Sequence, residues 1–141
     1  MNQEITNSEG YVDETPFLAM PSIEREERRQ ARLSRRPLVY ICSPFAGDVK
    51  RNAEAARRYS RFAVARGAIP VTPHLLYPQF MDDSDPAERA LALRFAQVLL
   101  DKCSEVWVFG GRVSEGMRAE IERAERRKRK IRRFDENLEE A

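Results

Sequence analysis

From Pro37 onward the chain alternates short runs of β-branched and aromatic residues with longer stretches of helical period, and few folds accommodate that alternation. Leu38-Val39-Tyr40-Ile41-Cys42 reads as a buried strand. Ser43-Pro44-Phe45-Ala46-Gly47 breaks it, and Asp48 caps a helix that runs to Gly67, with Val49, Ala53, Ala56, Ser60 and Ala63 on one face. Ala68-Ile69-Pro70-Val71-Thr72 is a second, shorter strand, and its proline places it at a sheet edge because proline cannot donate to a ladder. Pro73 to Ser84 reads as a long loop. Asp85-Pro86-Ala87-Glu88 then starts a helix to about Lys102, with a capping aspartate, a proline at the first helical position and Leu91, Phe95, Val98 and Leu99 as its inward face. Glu105-Val106-Trp107-Val108-Phe109 is a central strand, Ser114 opens the next helix, and Ile131-Arg132-Arg133-Phe134 is a last strand.

Right-handed crossovers set the first and third strands side by side in the flavodoxin-like order, so their following loops face each other across the switch point. The expected fold is a flavodoxin/Rossmann-like three-layer α/β domain, with a small parallel sheet of about four strands and helices on both faces.

The chain has 141 residues, 42% of them apolar, which suits one domain and a single core. Residues 1–36 differ from the rest: a charged arm, partly helical or disordered, whose Phe17, Leu18, Met20 and Ile23 form a small apolar cluster. Residues 37–135 form the domain and residues 136–141 an acidic tail. With 25 basic and 23 acidic residues the net charge is +2, so the overall field calls for neither nucleic acid nor an anionic membrane. Arg126-Arg127-Lys128-Arg129-Lys130 suits a helix C-terminus better than a phosphate backbone. No apolar run is long enough to span a bilayer, and no basic start precedes an apolar core, so a cytoplasmic protein is expected. Cys42 and Cys103 lack metal-ligand spacing and His74 is the one histidine, so no metal site is expected and both cysteines read as small buried apolar residues.

The chemistry is concentrated in Ser114-Glu115-Gly116-Met117-Arg118-Ala119-Glu120, which follows the central strand and the pair Gly110-Gly111. A strand-to-helix turn of this kind is a ligand site, because the first helical N–H groups are unpaired and the strand's carboxyl end opens into a crevice. At ~100° per residue, Met117, Ile121 and Ala124 define the helix's apolar face and Glu120 falls at its margin, about 60° from Met117. A carboxylate beside apolar neighbours at a crevice suits acid, base or nucleophilic work. The same residues also fit a plain helix start, with Ser114 as N-cap, Glu115 favouring the dipole and Glu120 solvated like Glu122 and Glu125. Tyr40, Phe45 and His74 are open in the same way, fitting either contact with a base or sugar or packing of strand and loop.

Tyr40-Ile41-Cys42-Ser43-Pro44-Phe45 at a first strand, Pro73-His74 after a second, and Ser114 followed six residues later by Glu120, with Ala124 four beyond, resemble the nucleoside 2-deoxyribosyltransferase-like superfamily. The resemblance covers residues 37 to 134 and is nearest to a branch found in phages and mobile elements. It implies cleavage or exchange of the N-glycosidic bond of a nucleoside or its 5′-monophosphate, without a cofactor. Glu120 would be the nucleophile, and Asp82 or Asp83, with Asp85 close by, would assist the departing base. Ser114 would hold a 5′-phosphate with the N–H groups of the turn at Gly116, and Ser43 and Gly47 would line the opposite loop. Arg118, where members of the superfamily carry a glycine, would fill space beside the sugar or supply a cation to a phosphate. The expected partners are the small-molecule substrate and further copies of the chain, since the Phe17 to Ile23 cluster and Leu75, Leu76, Tyr77, Phe80 and Met81 exceed what one small sheet covers. Two other roles use the same features: a nucleotide-binding sensor or accessory protein without turnover, and an interaction protein acting through residues 1–36.

Overall fold

The computed structural model describes residues 19–141, with side chains from Ser22 onward. The chain divides into two units, residues 1–36 and 37–141. In the first, helix α1 spans Ala19–Ser34. Glu24 pairs with Arg28 at 3.4 Å and Glu26 with Arg29, one helical turn apart in each case, while Ile23 and Leu33 are each 47% exposed. Phe17 and Leu18 lie outside the described residues, as does the side chain of Met20.

The second unit runs β1 (Leu38–Cys42), α2 (Val49–Ala65), β2 (Ile69–Val71), α3 (Pro73–Leu76), a 3-10 turn (Tyr77–Gln79), α4 (Pro86–Lys102), β3 (Glu105–Phe109), α5 (Glu115–Arg126) and β4 (Lys130–Phe134). The four strands form one parallel sheet in the order β2-β1-β3-β4. This is a Rossmann-like α/β fold with its switch point between β1 and β3. Pro70 stands opposite Val39 in β2, which is an edge strand, so its missing N–H leaves no ladder partner in the sheet interior unsatisfied.

Local chemistry sets the helix starts. The Asp48 side chain accepts from Arg51 N at 3.2 Å, Asp85 from Ala87 N at 3.0 Å ahead of Pro86, and Ser114 from Met117 N at 3.2 Å. Each satisfies a first-turn N–H that the helix itself cannot. Gly67 ends α2 at φ 85°, a left-handed conformation that side-chain-bearing residues adopt at a cost.

Alternation along β1 and β3 divides the core. Tyr40, Cys42, Val106 and Val108 face Leu100 of α4 and Met117, Ile121 and Ala124 of α5. Val39, Ile41, Trp107 and Phe109 face Tyr59 and Ala63 of α2, with Phe134 completing an aromatic stack in which Tyr59 lies 4.4 Å and Phe134 5.1 Å from the Phe109 ring. Each of these rings, fully buried, stabilises the fold by about 2–3 kcal/mol before entropy is counted.

The structure differs from the sequence reading in three places. Pro73 to Ser84 is not a plain loop but begins with α3 and the 3-10 turn, started by Pro73 and continued by Pro78. In α2, Val49 is 46% exposed and Tyr59 takes the buried position instead. In α4, Leu91, Phe95 and Val98 are 48%, 37% and 51% exposed, while Ala96 and Leu100 are buried. Apolar residues surround most of α4, so their period selects no face, and contact with the sheet selects the side where a small alanine allows close approach. The C-terminal residues fold back on β4, where Arg132 holds Glu140 through two bonds of 2.8 and 2.6 Å and Phe134 bridges Glu140 in antiparallel fashion.

Candidate active site

The carboxyl ends of β1, β2 and β3 open into a cavity of about 620 Å³ closed on one side by α4 and α5. Parallel strands put these ends together because every strand points the same way. β1 contributes Tyr40 and, just beyond it, Ser43 and Phe45; α3 contributes His74; the segment before α4 contributes Asp82 and Asp83; the start of α5 contributes Ser114, Gly116 and Glu120. Gly47 and Arg118 are not among the lining residues. Arg118 sits two positions before Glu120, about 200° round the helix, and is exposed to solvent.

Glu120 lines this cavity from α5. Helix α5 sets it at the margin of the Met117, Ile121 and Ala124 face, so the side chain is half-buried over β1. The Tyr40 hydroxyl donates to its Oε2 at 2.6 Å, while Oε1 is buried without a hydrogen-bond partner. Burial pushes the Glu120 carboxyl up to about 7, against the Tyr40 hydrogen bond and the nearby Cys42 thiol, which pull it down. Tyr40 and Cys42 lie two residues apart on one face of β1, both packed against α5. The Tyr40 hydroxyl is held well above its ordinary value by burial and then by the Glu120 carboxylate, so it stays protonated and serves as a donor.

Two other polar atoms at the cavity lack partners. Ser43 Oγ and His74 Nε2 are buried with no hydrogen bond. The His74 ring stacks on Phe45 with centroids 5.3 Å apart, and burial lowers its pKa despite a hydrogen bond to the Ser43 backbone that raises it. A buried polar atom without a partner costs about 1–3 kcal/mol, and a ligand can supply what the protein does not.

The two aspartates differ. Asp82 Oδ1 accepts from Ser84 N at 2.9 Å and Ser84 Oγ at 2.6 Å, which holds its carboxyl below the usual range and fixes the turn before α4. No hydrogen bond of this kind occupies the Asp83 carboxylate among the described residues, and it is exposed at the cavity mouth. Among the described residues no three His, Cys, Asp or Glu side chains are grouped to hold a metal ion.

Some lining residues escaped the sequence reading. Arg89, Ala92, Leu93, Ala96 and Gln97 of α4 line the cavity. Their spacing is helical and was present in the sequence, but the bulkier Leu91, Phe95 and Val98 on the other side masked it.

Residues 37–134 match the model of a domain of unknown function, DUF7768. The chain belongs to the DUF7768 family. This DUF7768 domain is also similar in structure to a 2-deoxyribosyltransferase from the psychrotolerant bacterium Bacillus psychrosaccharolyticus, with a TM-score of 0.59 over 70% of this chain and 72% of that one. The two are 11% identical, so the likeness is one of fold. No curated protein matches the chain. No helix among the described residues is long and apolar enough to cross a membrane.

Proposed function

We propose that this DUF7768 domain breaks or exchanges the N-glycosidic bond of a nucleoside or nucleotide with Glu120 as the nucleophile. The observation that carries the reading is a half-buried carboxylate with one oxygen held by Tyr40 at 2.6 Å and the other unpartnered at a 620 Å³ cavity. Oε1, which no group of the protein holds, is the oxygen this reading assigns to attack, and Tyr40 fixes the other.

The step balances as a double displacement. Glu120 Oε1 forms a bond to the anomeric carbon through an oxocarbenium-like transition state; the carbon–nitrogen bond breaks, and its electron pair leaves with the base, which takes up a proton. Asp83, exposed at the cavity mouth, is the better placed of the two aspartates to relay that proton from water, since the Asp82 carboxylate is occupied by Ser84. Water then opens the sugar ester in hydrolysis, or a second base opens it in exchange. Ser114 Oγ accepts from Met117 N but keeps its own proton, which with the N–H groups of the first α5 turn supports contact with a phosphate or a sugar oxygen. No step requires a cofactor.

The same reading includes a homo-oligomer in the cytoplasm. The exposed stripe Leu91, Phe95 and Val98, beside Leu76 and Phe80 at 46% and 67% exposure, is the surface a second copy would cover.

Chromatography of the free base released from a panel of deoxynucleosides and their 5′-monophosphates tests the reading. Release by the natural chain, reduced on the order of 10³-fold or more in Glu120→Gln, is the expected result. Binding without release from any substrate favours a nucleotide sensor instead.

A further inference from the structure

Ser43 and His74 line the cavity, and each keeps a buried polar atom that nothing in the protein satisfies. His74 Nε2 has no partner, so its hydrogen bond to the Ser43 backbone runs through Nδ1. The backbone group that accepts from a ring nitrogen is a carbonyl, which fixes the proton on Nδ1 and leaves the Nε2 lone pair as an acceptor. Ser43, 2% exposed, lines the same cavity, and its Oγ, also buried and unpartnered, can donate or accept. Stacking on Phe45 at 5.3 Å holds the imidazole plane, so the acceptor has a set direction.

The place of this pair in the fold matters as much as its chemistry. β2 neighbours β1, so His74, which follows β2, and the Glu120 carboxyl, which reaches Tyr40 of β1, line one cavity from adjacent strands. A nucleoside in this cavity meets both, with the anomeric carbon at Glu120 and another polar edge at His74.

We propose that Ser43 and His74 form the subsite that reads an uncharged N–H or O–H donor of the ligand, accepted by His74 Nε2 and flanked by Ser43 Oγ. This rests on the nucleoside reading of the cavity. A ligand edge carrying only acceptors is rejected there, because it would face a lone pair and leave a buried acceptor unsatisfied. Burial keeps the ring neutral near neutral pH, in agreement with an acceptor rather than a cation at that position. The donor belongs either to the edge of the base or to a sugar hydroxyl, and the two sources are separable by experiment.

The test is calorimetric binding of deoxynucleosides to the full chain, to His74→Phe, which keeps an aromatic ring against Phe45 but has no acceptor, and to Ser43→Ala, a smaller change that guards against misfolding. The ligand set includes counterparts lacking the 3′-hydroxyl, lacking the 5′-hydroxyl, or carrying a base without an exocyclic amine. We expect both variants to bind the parent nucleoside about tenfold more weakly. One counterpart should lose a similar factor on the natural chain and nothing further on His74→Phe, and the counterpart that behaves so identifies the donor. Unchanged binding by both variants, or equal discrimination by His74→Phe and the natural chain, overturns this inference alone. If no nucleoside or nucleotide binds the natural chain, the reading of the cavity falls as well.

Discussion

The Tyr40 hydroxyl donates to Glu120 Oε2 across 2.6 Å and ties the middle of β1 to α5. The two residues are 80 positions apart in the chain, so the contact exists only when β1 and β3 have paired and α5 has packed over them. It also bears on the nucleophile proposed for Glu120. Burial favours the neutral acid, a nucleophile must be ionised, and the phenol offsets part of the first effect in favour of the second.

Base release should therefore rise with pH through about 7, as Glu120 ionises. Tyr40→Phe removes the donor, moves that limb to higher pH and lowers the rate at pH 7 about tenfold, the size of a hydrogen bond to a charged group. A pH–rate profile of both chains checks this, and superimposable profiles would remove Tyr40 from the account.

The same raised pKa costs stability in the alkaline direction. With an ordinary value of 4.5 and a folded value of about 7, Glu120 binds more proton in the fold than in the unfolded chain between those limits. Its favourable contribution is complete below pH 4.5 and is lost as pH rises through about 7. Glu120→Gln, which mimics the neutral acid, should match the natural chain near pH 4.5 and exceed it at pH 8 by up to about 3 kcal/mol in urea unfolding. An equal difference at both pH values contradicts the assigned shift.

Asp101 at the end of α4 gathers three arginines. It accepts Arg123 Nε at 2.8 Å and Nη2 at 2.7 Å and pairs with Arg127 at 3.0 Å, while its carbonyl accepts from Arg129 at 2.7 Å. Hydrogen bonding by Arg123 holds its carboxyl below 3.8, so the stabilisation is present above that pH and is lost below it. At a partly exposed site Asp101→Asn should cost about 1 kcal/mol in denaturant unfolding, less at high salt. No change at low salt would show that the network is slack in solution.

Much of this architecture could be read from local chemistry. Asp85-Pro86 and Ser114 mark helix starts by residue type, and the strands from Leu38 and Glu105 stand out as short apolar runs, so the expected bounds coincide with the structural ones. What was not legible depends on distant contacts. Four-residue α3 has too few positions to show a period, and the inward face of α4 is chosen by the sheet rather than by its own sequence. The placement of Glu120 at a helix margin was readable, but its donor 80 residues earlier and the unpartnered atoms of Ser43 and His74 were not.

The exposed stripe of α4 yields a further expectation. Replacing Leu91 and Val98, 48% and 51% exposed, by aspartate should leave the fold intact and shift sedimentation toward the monomer. A natural chain already monomeric at micromolar concentration contradicts the proposed assembly.

The central claim is a covalent bond from a sugar to Glu120. Intact-mass spectrometry of the chain quenched during turnover of a slowly reacting deoxynucleoside should show the added mass of one deoxyribosyl group, located by peptide mapping on Glu120 and absent from Glu120→Gln. Base release with no added mass, or an adduct that survives in Glu120→Gln, would contradict it.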